Sequence, residues 1–281
     1  MTQERRYSFE FFPTKTQAGH DKLMNVAKEL AGYNPHFFSC TYGAGGSTRD
    51  RTLNTVFELD GTIQVPTAPH LSCVGDSKQE LRELLNLYKA NGIKRIVALR
   101  GDLPSGMGMA GGELRYANEL VELIREETGA HFHIEVAAYP EMHPQARSFD
   151  DDLANYVRKV KAGADSAITQ YFFNADCYFH FVERAQKLGA DIPVVPGIMP
   201  ITNYTSLARF SDACGAEIPR WIRKQLEAYG DDLASIQAFG EEVISRMCEQ
   251  LLAGGAPGLH FYTLNQAAPS LAIWHNLKLG R

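Results

Sequence analysis

The chain of 281 residues is 44% hydrophobic and 22% charged, with a formal net charge of −5, as is typical of a globular protein. This balance excludes a disordered, a collagenous or a disulfide-scaffold chain. Five cysteines without a Cys-x-x-Cys pair indicate neither a disulfide framework nor a zinc knuckle. No apolar run approaches the roughly 18 residues of a membrane helix, and residues 1–6 are polar with no apolar run of the signal-peptide type behind them. We therefore expect a cytoplasmic protein without a membrane or nucleic-acid partner.

Short β-branched and aromatic runs alternate along the chain with longer segments whose apolar residues have helical spacing. The sequence predicts eight strands, at residues 7–12, 37–42, 67–73, 95–100, 133–139, 166–172, 193–198 and 258–264. It predicts helices at residues 17–31, 47–59, 78–91, 113–127, 150–162, 175–188 and 267–277, and within 205–252.

Eight strand and helix units predict an α/β fold of one particular kind. The length alone would permit two domains, but no linker of Pro, Gly or Ser divides the chain. Repeated βα units give parallel strands, and eight of them close into a (β/α)8 TIM barrel. We expect one catalytic barrel domain over residues 1–281, with an extra helix or two inserted before the last strand.

The active site of such a barrel lies at the carboxyl ends of its strands. Polar residues at those ends are Glu10, Thr41, Tyr42, His70, Arg100, Asp102, Tyr139, Glu141, His143, Gln170, Tyr262, Thr263 and Asn265. Any one of them could be a solvated rim residue. Glu10 and Gln170 fit that reading least well, because they lie within predicted strands.

Two carboxyl groups are candidate catalytic groups. Alternation along the first strand puts Glu10 on the face of Ser8, opposite Phe9 and Phe11. A carboxyl held among aromatic rings is suited to act as a general acid, although a structural Glu paired with an Arg is the alternative. Asp102 follows a glycine at the end of the fourth strand, where it is either a ligand-binding group, a helix cap or a partner of Arg100.

The segment 106–111 matches the G-x-G-x-x-G pattern of dinucleotide-binding sites. Five residues, Gly-Asp-Leu-Pro-Ser at 101–105, separate it from the end of the fourth strand, whereas the first glycine of that pattern follows its strand directly. The other units also predict a barrel rather than an open sheet. A glycine-rich loop is therefore the preferred interpretation.

One predicted helix carries a polar face near the barrel mouth. Asp152, Asn155, Arg158 and Lys159 fall within an arc of about 120°, at 100° per residue, opposite the apolar residues. The face is either solvated or holds a ligand. Its two cations could bind a pyrophosphate and its two short polar side chains a ribose.

Seven motifs together resemble the bacterial methylenetetrahydrofolate reductases. They are Ser-Phe-Glu-Phe-Phe-Pro at 8–13, Thr-Tyr-Gly-Ala at 41–44, Ala-Pro-His-Leu at 68–71, Leu-Arg-Gly-Asp-Leu-Pro at 99–104, Ala-Ala-Tyr-Pro-Glu at 137–141, Ile-Thr-Gln-Tyr-Phe at 168–172 and His-Phe-Tyr-Thr-Leu-Asn at 260–265. The resemblance implies a homo-oligomeric FAD enzyme on a (β/α)8 barrel. It further implies that NADH reduces 5,10-methylenetetrahydrofolate to 5-methyltetrahydrofolate in a ping-pong cycle, for methionine biosynthesis.

The resemblance also implies roles for individual residues. Glu10 matches the general acid that protonates N10 of the folate, and Asp102 matches the carboxylate that binds the pterin and stabilises the iminium ion. Gln170 matches a pterin-binding amide, and Phe210 matches an aromatic ring that stacks on substrate or nicotinamide. Positions that match those lining FAD in the family are Thr41, His70, Arg100, Gly101, Asp102, Tyr116, Ala117, Tyr139, His143, Asp152, Asn155, Arg158, Lys159 and Ile168.

Two positions depart from the family pattern. Ser206 replaces a glutamine that contacts substrate, and Gln266, at a substrate-binding position, replaces an arginine. These changes concern the folate tail and the nicotinamide more than the type of reaction.

Two other functions fit a barrel. One is a flavin-free lyase or aldolase acting on a phosphorylated substrate, but no predicted strand contains the lysine that a Schiff base requires. The other is a barrel that only binds a partner, since fold alone does not define function. It would leave the two acids and the amide at strand ends unexplained.

Overall fold

The computed structural model describes residues 5–42, 46–101 and 112–280. Asp102 and the glycine-rich segment 106–111 lie outside the described residues. No helix within the described ranges is long and apolar enough to cross a membrane.

Nine short strand segments form a parallel barrel. They are β1 Arg6–Phe11, β2 Phe37–Cys40, β3 Thr67–Ser72, β4 Arg95–Leu99, β5 His133–Ala138, β6 Ser166–Thr169, β7 Val194–Val195, β8 Gly197–Ile198 and β9 Gly258–Tyr262. Their order in the sheet is β7-β6-β5-β4-β3-β2-β1-β9-β8. Because β7 and β8 follow each other directly in the chain, the two edges of this sheet meet. The predicted α/β fold and (β/α)8 barrel are confirmed.

The predicted seventh strand is divided in two at Pro196. Proline has no N–H group and cannot donate to a strand ladder. The Pro196 carbonyl still accepts from His260 N at 3.0 Å. β7 therefore pairs with β6 on one side of the proline, and β8 pairs with β9 on the other.

Ten helices cover the described part of the barrel. They are α1 Gln17–Ala31, α2 Gly46–Glu58, α3 Lys78–Ala90, α4 Ala117–Thr128, α5 Phe149–Lys161, α6 Ala175–Lys187, α7 Tyr204–Cys214, α8 Arg220–Tyr229, α9 Leu233–Ala253 and α10 Ala268–Asn276. A π-helical turn, Leu59–Ile63, follows α2. One helix would complete the seventh unit, so two of the helices α7 to α9 are extra. This agrees with the extra helix or two that the sequence predicts before the last strand.

The start of α4 is the main correction to the helix boundaries, four residues later than predicted. The Glu119 carboxylate accepts from Arg115 N at 2.6 Å and Tyr116 N at 3.0 Å. These bonds satisfy backbone donors at the amino end of the helix. They fix its first turn at Ala117 rather than at Glu113.

Side chains alternate between the outside and the inside of the barrel. The outer face of β1 is aromatic: the Phe9 ring lies 5.8 Å from that of Trp274, and the Phe11 ring lies 5.0 Å from that of Phe38. This face packs on the helices and forms the main hydrophobic core. A second, smaller apolar cluster of Phe37, Ala68, Val97 and Ile168 fills the inside.

A buried charge network lies at the amino ends of the strands, which form the floor of the barrel. Arg95 and Glu135 form a salt bridge, and Glu135 also accepts from Ser166 Oγ at 2.6 Å. His133 Nε2 lies 3.3 Å from the same carboxylate. Burial alone would raise the pKa of Glu135, but the hydrogen bond from His133 and the charge of Arg95 lower it to about 2.

Candidate active site

Glu10 lies on the inner face of β1, one residue before the strand ends. It is in register with Ser39 on β2 and with Tyr262 on β9. Its neighbours Phe9 and Phe11 are buried on the opposite face, as the alternation predicts. The Glu10 side chain keeps 19% of its surface exposed, so the carboxyl is partly desolvated and still accessible from the barrel mouth.

Two imidazoles flank the Glu10 carboxyl. His70 Nε2, from β3, lies 3.4 Å from Glu10 Oε2, and His260 Nε2, from β9, lies 3.7 Å from the same oxygen. Within the described ranges, these two histidines are the basic side chains within 4.0 Å of the Glu10 carboxyl, and no arginine is among them. Burial lowers the pKa of His70; the Glu10 carboxylate opposes this shift and His260 adds to it. The site therefore favours a neutral His70.

Tyr262 lies across the inside of the barrel at the level of Glu10. Its hydroxyl donates to Thr169 O at 2.7 Å. Burial and the nearby Glu10 carboxylate raise the pKa of Tyr262 well above its usual value. Tyr262 is thus a neutral phenol at physiological pH.

The turn after β9 fixes the end of β1. Thr263 Oγ1 donates to Glu10 O at 2.6 Å, and Asn265 Nδ2 donates to Phe12 O at 2.9 Å while its Oδ1 accepts from Phe12 N at 3.1 Å. Leu264 and Asn265 both adopt positive φ angles, of 50° and 56°. Consecutive left-handed residues are strained outside glycine, and such strain is concentrated at functional sites.

The end of β4 makes a tight turn at the rim. Gly101 has a φ of +88°, and Ser72 Oγ donates to Arg100 O at 2.9 Å. A Cβ on Gly101 would lie 1.9 Å from Ser72 Oγ. Only glycine fits this position, because both the backbone angle and the space exclude a side chain.

Further predicted residues surround the mouth. Thr41 N donates to Phe11 O at 2.9 Å, which ties the ends of β2 and β1 together. The Tyr139 and His143 rings meet edge to face at 4.6 Å. Gln170 is half-buried, and its Oε1 accepts from Tyr171 N at 3.0 Å, so its amide NH2 is the end available to a ligand.

The polar face of α5 has the predicted orientation. Leu153, Tyr156 and Val157 are buried, whereas Asn155 and Arg158 are exposed and hydrogen-bonded to each other. The half-buried members of the face contact the end of β5 and the loop that follows it. Lys159 Nζ donates to Ala137 O at 2.5 Å, and Asp152 Oδ2 accepts from His143 N at 2.7 Å. Burial lowers the pKa of Lys159 to about 8, against the opposing charge of Asp152.

The remaining predicted residues are spread more widely. Ile168 is buried inside the barrel, in the inner apolar cluster. Tyr116, directly before Ala117 and α4, is 59% exposed. Phe210 on α7 is 38% exposed, with the Arg209 guanidinium 5.4 Å from its ring centre.

The two positions that depart from the family pattern also lie in the described part of the chain. Ser206 N, in the first turn of α7, donates to Asn203 Oδ1 at 2.8 Å. Gln266 is exposed directly after the strained turn.

His260 was not singled out as a candidate from the sequence. It is fully buried next to Glu10, and its Nδ1 lies 2.7 Å from Ser8 Oγ. The signal that could have found it is the alternation in Gly-Leu-His-Phe-Tyr at 258–262, which puts His260 on the same inner face as Tyr262.

Comparison with known proteins identifies the family. A family model described as methylenetetrahydrofolate reductase matches residues 1–278. The 5,10-methylenetetrahydrofolate reductase of Escherichia coli (strain K12) is 42% identical over 270 residues, covering 96% of this chain and 90% of that protein. The chain belongs to the methylenetetrahydrofolate reductase family. It is therefore an oxidoreductase of folate metabolism, as its resemblance to the family implies.

A plant protein agrees with this family membership, and a solved structure shares the fold. The Arabidopsis thaliana protein named methylenetetrahydrofolate reductase (NADH) 1 is 38% identical over 285 residues, covering 97% of this chain but 48% of the plant protein. A Clostridium thermocellum protein described as binding two copies of 5-methyl-5,6,7,8-tetrahydrofolic acid has a TM-score of 0.69, over 99% of this chain and 95% of its own. At 16% sequence identity, this last likeness shows a shared fold.

Proposed function

We propose that this enzyme reduces 5,10-methylenetetrahydrofolate to 5-methyltetrahydrofolate with NADH as the electron source and FAD as its tightly bound cofactor. The two substrates use one pocket in turn, in a ping-pong cycle, and the product supplies methyl groups for methionine biosynthesis. The observation that carries the proposal is the partly exposed Glu10 carboxyl beside His70 at the barrel mouth, in a chain of this family. Plant relatives with NADH in their names support the choice of reductant.

The donor set at the mouth fits a dinucleotide flavin. Arg158 and Asn155 are exposed on α5, and the Lys159 ammonium lies beside them near the end of β5. Cations and a short amide suit the diphosphate and the ribose of such a cofactor. Bound FAD would supply a carrier that accepts a hydride from one substrate and passes it to the next.

Glu10 is the group that we assign to proton delivery. Opening of the five-membered ring of the folate requires a proton on N10, the departing amine. The Glu10 carboxyl faces the mouth from the inside of the barrel, with no arginine within 4.0 Å among the described residues to hold it as a structural ion pair. Its position therefore suits proton delivery to a ligand in the barrel mouth.

Other chain residues would bind and orient the folate. The amide NH2 of Gln170 can donate to the pterin, because its Oε1 is already bonded to Tyr171 N. The exposed ring of Phe210 offers a stacking surface, and Gln266 is exposed at the rim of the last strand. The assignment of Asp102 to the cation formed on ring opening depends on the sequence resemblance.

We also propose a cytoplasmic location and a homo-oligomer. All five cysteines, Cys40, Cys73, Cys177, Cys214 and Cys248, are free thiols, as is usual in a reducing compartment. Sedimentation of the purified protein would measure the oligomer, and a monomer over the full concentration range would contradict it.

One experiment tests the proposed function. Protein purified with added FAD should be yellow, and it should convert NADH and 5,10-methylenetetrahydrofolate to 5-methyltetrahydrofolate, identified by mass. Omission of the folate should leave a single reduction of the bound flavin by NADH. A colourless protein that takes up no FAD, or a yellow protein that forms no 5-methyl product, would contradict the proposal.

A further inference from the structure

His260 is a buried imidazole with a fixed ring and an unused nitrogen. It lies one layer below Glu10, since β9 pairs Ser8 with His260 and Glu10 with Tyr262. Nδ1 contacts Ser8 Oγ at 2.7 Å, and the ring stacks on Phe37 with 6.0 Å between centroids. Among the described residues, Nε2 is buried without a hydrogen-bond partner. It faces Glu10 Oε2 at 3.7 Å.

The position of the proton on His260 follows from its two neighbours. When the Ser8 hydroxyl donates to Nδ1, the neutral ring carries its proton on Nε2, towards Glu10. The opposite tautomer would set a nitrogen lone pair against the lone pairs of Glu10 Oε2, which is repulsive. The Nε2–H form is therefore favoured from both sides of the ring.

Both imidazoles approach the same oxygen of the Glu10 carboxyl, Oε2, so its two oxygens have different surroundings. His70 approaches Oε2 at 3.4 Å from β3, and His260 approaches the same oxygen from β9. Both distances exceed a normal hydrogen bond, and a small rotation of the carboxyl would close either one. Catalytic hydrogen bonds commonly shorten once a substrate binds. Oε1 is then the oxygen that carries the acid proton towards the mouth.

We propose that His260 is a positioning residue for Glu10: Ser8 orients its ring, and its Nε2–H binds Oε2 of the carboxylate that remains when Glu10 gives up its proton. This inference rests on the proposed function. In that step the O–H bond of Glu10 breaks, an N–H bond forms at N10 of the folate, and the electron pair stays on the carboxylate. The hydrogen bond to Oε2 then becomes charge-assisted and strengthens, which favours proton transfer.

Two substitutions of His260 separate positioning from packing. His260→Gln keeps an N–H group at the ε position, towards Glu10. His260→Asn keeps a polar group at the δ position, towards Ser8, and loses the N–H group that faces Glu10. We expect His260→Asn to slow oxidation of the reduced enzyme by 5,10-methylenetetrahydrofolate about 10- to 100-fold, with little change in KM for the folate. Reduction by NADH should stay within about twofold of the unsubstituted enzyme, and His260→Gln should recover most of the lost rate.

His180→Asn is the matched control, because His180 is exposed on α6. It should leave both half-reactions unchanged. Equal losses in the two half-reactions of His260→Asn, or equal rates for the Asn and Gln variants, would overturn the positioning role.

A second measurement does not depend on catalysis. Nitrogen NMR of histidine-labelled, ligand-free protein reports which ring nitrogen carries the proton, and His260→Gln assigns the signal by its loss. We expect Nε2 of His260 to carry a proton and Nδ1 to accept from Ser8, and a mixture of tautomers in Ser8→Ala. A proton on Nδ1 of the unsubstituted protein would overturn the inference even if the enzyme is active. Absence of folate reduction by the unsubstituted enzyme would instead contradict the proposed function.

Discussion

At the scale of single residues, Gly101 is a rim position that does not accommodate a side chain. At Gly101 both the φ of +88° and the overlap of an added Cβ with Ser72 Oγ, at 1.9 Å, oppose a side chain. Gly92 has a similar φ of +82° but open space around it. Substitution by alanine costs about 1 kcal/mol at either position for the left-handed backbone. Overlap adds about 1 to 3 kcal/mol at Gly101 alone.

We therefore expect Gly101→Ala to lower the free energy of unfolding by about 2 to 4 kcal/mol, and Gly92→Ala by about 1 kcal/mol. Denaturant unfolding of the two variants beside the unsubstituted protein measures the difference. Equal losses at the two glycines would show that Ser72 moves aside without cost.

Lys159 gives FAD binding a pH dependence if it contacts the diphosphate. Its pKa is lowered to about 8 by burial, and a bound anion raises it again. Affinity is then constant below pH 8 and falls by up to about tenfold per unit as the pH rises above that value. We expect this fall in the unsubstituted protein and a flat profile in Lys159→Met, measured by flavin fluorescence.

Lys161→Met on the same helix is the control for this titration, because Lys161 is exposed at the end of α5. It should keep the slope of the unsubstituted protein. A slope that also persists in Lys159→Met would exclude contact between Lys159 and the diphosphate.

Alternation alone identifies Glu10 and His260 equally well, yet only Glu10 was predicted as a site residue. Ser8, which contacts the His260 ring and orients it, is 252 residues away in the chain. Spacing within a strand indicates which residues of that strand lie on the same face of the sheet. It does not indicate which residues of different strands meet inside a closed barrel. Pairings of this kind require the register of β1 with β9.

At the scale of elements, the barrel floor is held by a buried ion pair. The folded-state pKa of Glu135 is about 2, below its usual value of 4.5. Its stabilising effect is therefore present above pH 4.5 and is lost as the pH falls through about 2. We expect Glu135→Gln to lower the free energy of unfolding by about 3 kcal/mol at neutral pH, because Arg95 is left buried without its partner.

Acid titration of unfolding checks this effect, with Glu183→Gln as the control. Glu183 pairs with Lys187 on the exposed side of α6, where solvent screens an ion pair and it contributes little to stability. Loss of stability below pH 4.5 should be smaller in Glu135→Gln than in the unsubstituted protein. If Glu135→Gln and the unsubstituted protein lost stability equally on acidification, the stabilising role of the Glu135 carboxylate would be contradicted.

Element boundaries show where local patterns fail. The apolar run at 193–198 predicts one strand, but Pro196 removes a donor and leaves two short segments that pair on opposite sides. The helical pattern from Glu113 is interrupted because the Glu119 side chain caps the helix at Tyr116. The break in the strand comes from one missing backbone donor, and the helix start comes from backbone hydrogen bonds to one side chain. Hydrophobic periodicity reports neither.

At the scale of the whole molecule, the count of eight units predicted the barrel and the insertion before β9. The parallel order of the strands is what brings Glu10, His70 and Gln170 to one mouth from separate parts of the chain. The sequence could not provide the layered interior, in which the ion pair of the barrel floor and the His260 ring lie below the Glu10 carboxyl.

The central claim is that Glu10 is the acid of the folate half-reaction, and rapid mixing of Glu10→Gln tests it most directly. Reduction of the bound flavin by NADH should stay within about twofold of the unsubstituted enzyme and of a Glu122→Gln control on the exposed face of α4. Oxidation of the reduced enzyme by 5,10-methylenetetrahydrofolate should fall by at least about 100-fold. Comparable losses in both half-reactions, or an undiminished folate half-reaction, would contradict the claim.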